Sequence, residues 1–298
     1  MPRPLRIEFP GALYHVFSRG NDKRDIFRTD EDRELFLAAL GEACERFGVR
    51  IHSYCLMTNH YHLLLETPEA NLSQFMKLFL GVYTIRFNRT HKRVGHLFQG
   101  RYRAHLVDKD DYFLQVSRYI HLNPVSAGMK DLPEAYPWSS LKYFTNGQKA
   151  PNFLQKDLIL GQFKSSKEYI DFIREGIGKE APLAIRKPLG GVFIASKGYV
   201  DSFRKKLVSD RRDFRRKECL EIPLDLLLEL LEFERPDIHP YVLWKLGRRN
   251  QTEIARLVSK TQSAVSHSVK RTQGRLVKDP SLKRQITGIE AALSCFMD

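Results

Sequence analysis

The stretch that decides the fold is a pair of short apolar segments separated by two residues. They are VRIHSYCLM (Val49–Met57) and HYHLLLET (His60–Thr67), and they are joined by Thr58 and Asn59. Both segments are rich in β-branched, aromatic and aliphatic residues, which is typical of β-strands. Because two residues are enough for a tight turn, the pattern predicts a β-hairpin and therefore an antiparallel sheet around it.

Strand and helix patterns alternate on both sides of this hairpin. In chain order they are a strand at Ala12–Arg19, a helix from Thr29 that ends at Gly48, a helix at about Leu72–Asn88, a strand or hairpin arm at Leu97–Val107 broken at Gly100, and a helix from Asp110 to Asn123 that Pro124 ends. This order predicts an α+β fold of ferredoxin-like type with an antiparallel sheet, covering residues 1–145.

The second half of the chain has a different character. Residues 146–217 alternate short apolar runs with Gly, Pro and basic pairs, and we interpret them as a basic connecting region. Residues 218–298 are predicted to form an all-α domain. Its pattern consists of a leucine stripe at Leu224, Leu227, Leu228 and Leu231, followed by helices at Tyr241–Leu246, Thr252–Leu257 and Gln262–Val277. The last two helices and the short turn between them predict a helix-turn-helix.

The charge of the chain indicates a polyanionic partner. The 298 residues include 49 Lys and Arg against 35 Asp and Glu, a net charge of +14. Residues 1–145 contain 20 basic and 16 acidic residues (+4), and residues 146–298 contain 29 and 19 (+10). Neutralising phosphates is the simplest use for such an excess, so we expect a nucleic-acid partner, with solubility alone as the alternative.

Cysteine usage and hydropathy bear on the cellular compartment. The four cysteines (Cys44, Cys55, Cys219 and Cys295) lie far apart with no C-x-x-C pair, which disfavours a disulfide framework and a cysteine zinc site. No apolar run reaches the roughly 18 residues of a membrane span, and the N-terminal MPRPLRIEFPG lacks an apolar signal region. We therefore expect a cytoplasmic protein.

The candidate chemistry starts at His60, Tyr61 and His62. Side chains alternate along a strand, so the two imidazoles share one face and Tyr61 points to the other. Two imidazole nitrogens at this spacing can bind one divalent ion. The same pattern also occurs in packed or surface histidines, so a further ligand is needed to distinguish a metal site.

A tyrosine and an amide follow in the helix predicted after Asp110. Tyr119 and Asn123 are four residues apart and so lie on one helix face. A phenol can attack phosphorus, and an amide oxygen one turn away can complete a metal site with two histidines. Gln115 is the rival third ligand, because Pro124 disfavours helical geometry at Asn123. For Tyr119 the alternative is a half-buried packing residue.

Several spaced motifs in residues 1–145 resemble a known family when they are taken in order. They are YHVFSRGN (Tyr14–Asn21), NHYHLLLE (Asn59–Glu66), FQGRYRAHLV (Phe98–Val107), RYIHLNPV (Arg118–Val125) and AYPWSS (Ala135–Ser140). Together they resemble the HUH single-tyrosine transposases, and within them the REP-associated tyrosine transposases. The resemblance implies that residues 1–145 form the catalytic domain of such an enzyme.

The resemblance also implies a reaction, namely the nicking and rejoining of single-stranded DNA at hairpin-containing repeats. By analogy, His60, His62 and Asn123 bind Mg²⁺ or Mn²⁺, which acts as Lewis acid and template. Tyr119 attacks the scissile phosphate and leaves a 5′-phosphotyrosine and a free 3′-hydroxyl. The covalent link conserves the energy of the phosphodiester, so a 3′-hydroxyl can reverse the step without ATP.

Several side chains near these motifs are candidates for contacting DNA. The basic ones are Arg19, Lys23, Arg101 and Arg103, and the alternative for each is an ordinary solvated charge. Phe98 and Tyr102 can stack on unpaired bases, although core packing is the simpler interpretation for Phe98.

The C-terminal extension distinguishes this chain from the small members of the family. QTEIARLVSKTQSAVSHSVKR (Gln251–Arg271) resembles the DNA-binding domain of the bacterial replication initiator, a Trp-repressor-like fold. In such a module the helix from Gln262 enters the major groove of duplex DNA. The candidate contacts are Gln262, Ser263, Ser266, His267, Lys270 and Arg271. A helical protein-interaction module is the alternative.

Other functions share part of these features. A replication-initiation or relaxase-type nickase needs the same residues and differs in its substrate. A DNA-binding regulator that no longer cleaves is expected to lack a histidine or the tyrosine, and neither is missing here. A metallohydrolase of small molecules is disfavoured because no acidic cluster accompanies the histidines. The sequence leaves open whether a homodimer forms and whether Tyr119 acts within its own chain.

Overall fold

The computed structural model describes residues 7–145, 148–209, 231, 236–245 and 249–292. Helices and a five-stranded sheet are both present, so the predicted α+β class is confirmed. The chain divides into two compact units, one of Met1–Met76 with Phe98–Arg216 and one of Lys77–Leu97 with Lys217–Asp298. Within the described ranges, none of the helices combines the length and apolar character that crossing a membrane requires.

The first unit is built on the sheet. Its strands are β1 (Ala12–Arg19), β2 (Arg50–Leu56), β3 (His60–Thr67), β4 (Arg103–Val107) and β5 (Phe193–Ile194), in the spatial order β2-β3-β1-β4-β5. The first four strands pair antiparallel, which confirms the predicted hairpin, and β5 pairs parallel to β4. The strand expected over Leu97–Val107 begins only at Arg103, because Gly100 has φ +70° and breaks the extended backbone before it. A strand of two residues carries no alternation, so β5 had no sequence signal.

Eight α-helices lie in the part of the first unit and of Lys77–Leu97 that the structure describes. They are α1 (Asp30–Phe47), α2 (Leu72–Thr90), α3 (Lys109–Ser126), α4 (Lys142–Thr145), α5 (Asp157–Leu160), α6 (Ser166–Arg174), α7 (Leu183–Arg186) and α8 (Lys197–Ser209). The limits of α1 follow the predicted signals. The Thr29 side chain accepts from the Asp32 N–H, the Asp32 carboxylate accepts from the Thr29 N–H, and Gly48 ends the helix at φ +66°.

The end of α3 corrects the prediction that Pro124 terminates this helix. The helix continues to Ser126 with Pro124 in its last turn. A proline removes one backbone donor, but near a helix end few bonds of the ladder remain to be lost. The N–H of Ala127 still donates to the carbonyl of Asn123 at 3.0 Å. Asn123 therefore stays in helical geometry one turn after Tyr119.

Residues 148–209, which the sequence analysis interprets as part of a connecting region, contribute to the first unit. The strand β5 extends the sheet, and the hydroxyls of Tyr169 in α6 and Ser117 in α3 are hydrogen-bonded at 2.8 Å. Ile170 and Ile173 of α6 belong to the same apolar core as α3. The helices α5, α6 and α7 have nine residues or fewer, so packing between distant residues orders them more than local pattern does. The domain boundary at residue 145 stays a prediction.

The second unit contains the C-terminal helices. They are α9 (His239–Lys245), α10 (Gln251–Leu257), α11 (Gln262–Lys278) and α12 (Pro280–Ala292). The helices predicted at 252–257 and 262–277 are thus confirmed, and α9, predicted from Tyr241, begins two residues earlier. Helices α9, α10 and α12 each contact α11, whose Val265 and Val269 are buried. The predicted leucine stripe at 224–228 and Leu246 lie outside the described residues.

Burial of His121 in the core of the first unit predicts acid sensitivity. Its Nδ1 lies 2.9 Å from the Ser139 hydroxyl, and burial lowers its pKa from 6.5 to about 3. Below pH 6.5 the His121 imidazole therefore binds a proton in the unfolded chain but not in the folded chain. The free energy of unfolding consequently falls as the pH falls toward 3. Each such histidine contributes a slope that approaches about 1.4 kcal/mol per pH unit. We expect His121→Gln to flatten the pH dependence by about this amount.

Urea unfolding between about pH 6.5 and 5, above the range in which most carboxylates titrate, measures this slope. The chain has two tryptophans, so a Trp244→Phe background leaves Trp138 as the reporter for the first unit. The exposed His96 supplies the control, because it lies in the second unit and His96→Gln should leave the unfolding of the first unit, which Trp138 reports, unchanged. Equal slopes for His121→Gln and its parent would contradict the prediction.

Candidate active site

The candidate site lies on the face of the sheet that α3 covers. Residues paired across antiparallel strands point to the same face, and the register pairs Phe17 with His62 and Arg19 with His60. The face carries His15, Phe17 and Arg19 from β1, His60 and His62 from β3, and Arg103 and His105 from β4. Tyr61 points to the opposite face as predicted, where its ring centroid lies 5.0 Å from that of Phe36 in α1.

The structure brings Tyr119 of α3 to the two histidines of β3. The ring centroids of His60 and His62 are 5.1 Å apart, and those of His62 and Tyr119 are 5.7 Å apart with the planes at 85°. The half-buried Tyr119 also meets His15 edge-on at 5.8 Å. A phenol from the helix and two imidazoles from the strand thus share one small region, as the sequence analysis expects.

His15 is a member of this cluster that the sequence analysis missed. Its Nε2 lies 2.9 Å from Nδ1 of His62, both side chains are buried, and the two rings stack with centroids 5.1 Å apart. The Nε2 of His62 has no hydrogen-bond partner among the described residues. In the sequence, His15 has no histidine within its own strand, and only the register of β1 against β3 brings it to His62.

His60 is held by the residue that precedes it. Its Nδ1 lies 2.7 Å from the Asn59 side-chain oxygen. The Asn59 amide nitrogen donates in turn to the Lys23 carbonyl at 3.0 Å, and the Gly20 N–H donates to the Asn59 carbonyl at 2.8 Å. Both polar ends of the Asn59 side chain are therefore hydrogen-bonded, one to His60 and the other to the loop at Lys23.

The histidines of the cluster are neutral at neutral pH. Burial lowers the pKa of His62 well below its usual value, with His15 and His60 adding to the effect. The pKa of His60 is lowered by burial and then by the Arg19 charge. Burial also lowers the pKa of His15 to about 3 and that of His105 to about 4. Neutral imidazoles keep the lone pairs that metal coordination needs.

Tyr119 and Asn123 are coupled within α3. The Asn123 amide nitrogen donates to the Tyr119 backbone carbonyl at 2.9 Å, and its oxygen has no hydrogen-bond partner among the described residues. Burial raises the pKa of Tyr119, and the Asn123 amide acts in the opposite direction. The rival ligand Gln115 is half-buried one turn earlier. The geometry of Asn123 leaves an amide oxygen available as a ligand beside the phenol.

The donor atoms of this region are of the kinds that bind divalent ions. In the described part of the chain, no three His, Cys, Asp or Glu side chains form a group that could hold a metal ion. A site here would therefore need an uncharged oxygen in addition to His60 and His62, and Asn123 is the residue that the sequence predicts for it. Two neutral imidazole nitrogens and an amide oxygen are a donor set that suits Mn²⁺, and also Mg²⁺ with added water.

The predicted basic contacts are all at the surface of the first unit. Arg19, Lys23, Arg101 and Arg103 are exposed. The Arg19 guanidinium donates to the Gln99 side-chain oxygen at 2.9 Å, and the Gln99 N–H donates to the Arg19 carbonyl at 2.9 Å. Phe98 and Tyr102 are buried, so core packing describes Phe98 and neither ring is open for base stacking.

The predicted contacts in the second unit lie on the outer side of α11. Gln262, Ser263, His267, Lys270 and Arg271 are exposed and Ser266 is half-buried. The inward positions of the same helix are apolar or small, among them Val265, Ser268 and Val269. The helix is capped by Thr261, whose side chain accepts from the Ala264 N–H. An exposed polar and basic stripe thus starts at the first turn of the helix.

Comparison with known proteins places similarity in the first half of the chain. Residues 9–123 match the family model described as "Transposase IS200 like". A protein of Haemophilus influenzae that carries the name REP-associated tyrosine transposase is 26% identical over 141 residues, which cover 44% of this chain and 80% of the relative. A solved structure of a REP-associated tyrosine transposase bound to a REP hairpin has a TM-score of 0.43 and 16% identity, covering 52% of this chain and 93% of that chain.

The family match includes the whole candidate site. His15, His60, His62, Tyr119 and Asn123 all lie within residues 9–123. The family match and the relative from Haemophilus influenzae support a transposase-type function in DNA processing. The helices from α9 onward lie outside the family match.

Proposed function

We propose that the chain is an HUH single-tyrosine transposase of the REP-associated group, which nicks and rejoins single-stranded DNA at hairpin repeats. The observation that carries the proposal is the position of Tyr119, whose ring lies 5.7 Å from that of His62 on the face that also bears His60. The spatial order β2-β3-β1-β4 of the antiparallel strands supports a ferredoxin-like catalytic domain. The family match over residues 9–123 agrees with both.

His60, His62 and Asn123 would hold Mg²⁺ or Mn²⁺. When bound, the ion polarises the scissile phosphate and orients it for in-line attack. The oxygen of Tyr119 forms a bond to phosphorus while the bond to the 3′-oxygen breaks, which leaves a 5′-phosphotyrosine and a free 3′-hydroxyl. Because burial raises the pKa of Tyr119, the phenol is protonated before attack, and its proton would end on the departing 3′-oxygen, which becomes the free 3′-hydroxyl. Attack by a 3′-hydroxyl on the phosphotyrosine rejoins the strands.

Arg19 and Arg103 would position the DNA strand at this site. Arg19 lies beside His60 in the register and its charge already lowers the pKa of His60. The Gln99 contact holds the guanidinium in place, so a phosphate can bind without much further loss of side-chain freedom. Lys23 and Arg101 are exposed as well and would add positive charge. Backbone contacts of this kind orient a strand without reading its sequence.

The second unit would bind duplex DNA through a helix-turn-helix formed by α10 and α11. Lys270 and Arg271 lie on the exposed side of α11, where they can contact phosphates. We expect Lys270→Ala with Arg271→Ala to weaken duplex binding and to lower the slope of log K against log salt by about 0.9 for each lost phosphate contact. Fluorescence anisotropy with a labelled duplex over a salt series measures both quantities.

The adjoining helix α12 supplies a control of equal charge. Lys283 and Arg284 are exposed there, and Lys283→Ala with Arg284→Ala removes the same two charges from the chain. If the two double variants lose affinity equally, net charge and not the α11 surface governs binding, and the helix-turn-helix proposal is wrong.

The enzymatic proposal is tested by adduct formation. The full chain is incubated with labelled single-stranded hairpin DNA from the sequence flanking its gene, with Mg²⁺, with Mn²⁺ or with EDTA. We expect a protein–DNA adduct that survives SDS in the metal samples and not in EDTA. Hairpin binding without an adduct in either metal would instead favour a DNA-binding regulator.

A further inference from the structure

We propose that Asn59 is a positioning residue that sets which nitrogen of His60 carries the proton, so that Nε2 is the metal-binding atom. The inference rests on the proposed function, because it concerns the same metal site, and it assigns a role to a residue outside the ligand set. A neutral imidazole carries one N–H, and only the other nitrogen can bind a metal. The residue that chooses between the two nitrogens therefore decides whether His60 can be a ligand.

The hydrogen bonds of Asn59 leave one orientation for its amide. Its outer end lies 3.0 Å from the Lys23 carbonyl oxygen, which can only accept, so the NH₂ group is at that end. The amide oxygen is then the atom 2.7 Å from Nδ1 of His60. An amide oxygen also only accepts, so Nδ1 must donate. The Nε2 lone pair of His60 is left for a metal.

The loop that contains Lys23 has an unusual backbone conformation, which places the Lys23 carbonyl next to Asn59. Asp22 and Lys23 have φ of +55° and +58°, a left-handed conformation that is strained for non-glycine residues. A Cβ on Gly20 would lie 2.0 Å from the Arg24 carbonyl oxygen, so this turn closes only with glycine. The Gly20 N–H binds the Asn59 carbonyl, which brings the turn to the hairpin. Backbone strain is thus maintained at the point that orients Asn59.

For His62, no neighbouring group in the described ranges fixes in this way which ring nitrogen carries the proton. His62 Nδ1 faces His15 Nε2 at 2.9 Å, and either ring can be the donor. A proton on His62 Nδ1 leaves its Nε2 free for a metal and moves the His15 proton to Nδ1, which is buried and has no hydrogen-bond partner among the residues that the structure describes. Of the two histidines, only His60 thus has its tautomer specified by hydrogen bonds in the described part of the chain, and Asn59 is the residue that specifies it. Groups that orient a metal-binding histidine in this way commonly change metal affinity 10–100-fold when they are removed.

The test is the tautomer of His60 in the full-length, metal-free protein, read from long-range ¹H–¹⁵N correlations of the imidazoles. The His60 signals are identified by their loss in His60→Ala. We expect Nδ1–H in the wild type and predominantly Nε2–H in Asn59→Leu, which has a similar shape but no acceptor. Asn59→Asp keeps an acceptor for Nδ1–H and should retain the wild-type tautomer. Mn²⁺ titration followed by EPR should show affinity about 10–100-fold weaker for Asn59→Leu.

The matched control is Asn21→Leu. Asn21 is exposed in the same loop, and its side chain has no hydrogen bond among the described residues. In Asn21→Leu, both the tautomer of His60 and the affinity for Mn²⁺ should therefore equal those of the wild type. An Nε2–H tautomer in the wild type, or an unchanged tautomer or unchanged Mn²⁺ affinity in Asn59→Leu, overturns the inference. Because neither measurement uses DNA, this result is separate from failure of the adduct assay, which would count against the proposed function.

Discussion

Replacing Tyr119 by Phe should abolish the covalent protein–DNA adduct while hairpin binding is retained. The phenol oxygen is the proposed nucleophile, and a phenyl ring has no atom that can replace it. The ring itself remains, so its packing against His15 and His62 is kept. We expect the free energy of unfolding to change by about 0.5 kcal/mol or less. Denaturing gel analysis with labelled hairpin DNA measures the adduct, and anisotropy measures binding.

The control for this variant is Tyr112→Phe on the same helix. Tyr112 is partly buried and packs against the core of the first unit. It lies two turns before Tyr119, so loss of its hydroxyl should leave adduct formation at the wild-type rate. An adduct that persists in Tyr119→Phe would show that another group attacks the phosphate, and the assignment of the nucleophile would have to be abandoned.

Replacing His60 or His62 by Ala should remove metal binding at the site. Each is one of three proposed ligands, so its loss must exceed the 10–100-fold effect of removing a group that only orients a ligand. We therefore expect Mn²⁺ affinity to fall at least about 100-fold and the adduct to disappear. His60→Ala is the cleaner variant, because it leaves the buried hydrogen bond between His15 and His62 intact. EPR titration with Mn²⁺ gives the affinity directly.

His96→Ala serves as the reference for these variants. His96 is exposed and belongs to the second unit, so its removal should change neither Mn²⁺ affinity nor adduct yield. Thermal unfolding of each variant in EDTA separates loss of a ligand from loss of structure. If His60→Ala binds Mn²⁺ as tightly as the wild type while remaining folded, the two histidines do not form the metal site.

The ends of most helices and strands in the first half of the chain were predictable, because the residues that determine them are adjacent in sequence. The strands β1 and β3 occupy the predicted residues, and α1 begins after Thr29 and ends at Gly48 because a cap and a glycine act on adjacent backbone groups. The end of α3 was not predictable in the same way. Pro124 disfavours a helix locally, but it is buried in the last turn, and packing there outweighs the one missing donor.

The site was predictable where it depends on spacing within one element. The alternation of β3 places His60 and His62 on one face, and the helical period places Asn123 one turn after Tyr119. His15 and the role of Asn59 could not be inferred from spacing. His62, the partner of His15, is 47 residues away along the chain. Lys23, whose carbonyl accepts from the Asn59 amide nitrogen, is 36 residues away.

The sequence alone determined the types of the elements, the shared face of His60 and His62, and the one-turn spacing of Tyr119 and Asn123. These features depend on backbone geometry over a few residues. The tertiary structure decided that α3 crosses the sheet at that face, that β1 brings His15 to His62, and that the Lys23 carbonyl meets Asn59. Strand register and helix placement are set by burial of apolar surface between segments far apart in the chain, and local propensity carries no information about such partners.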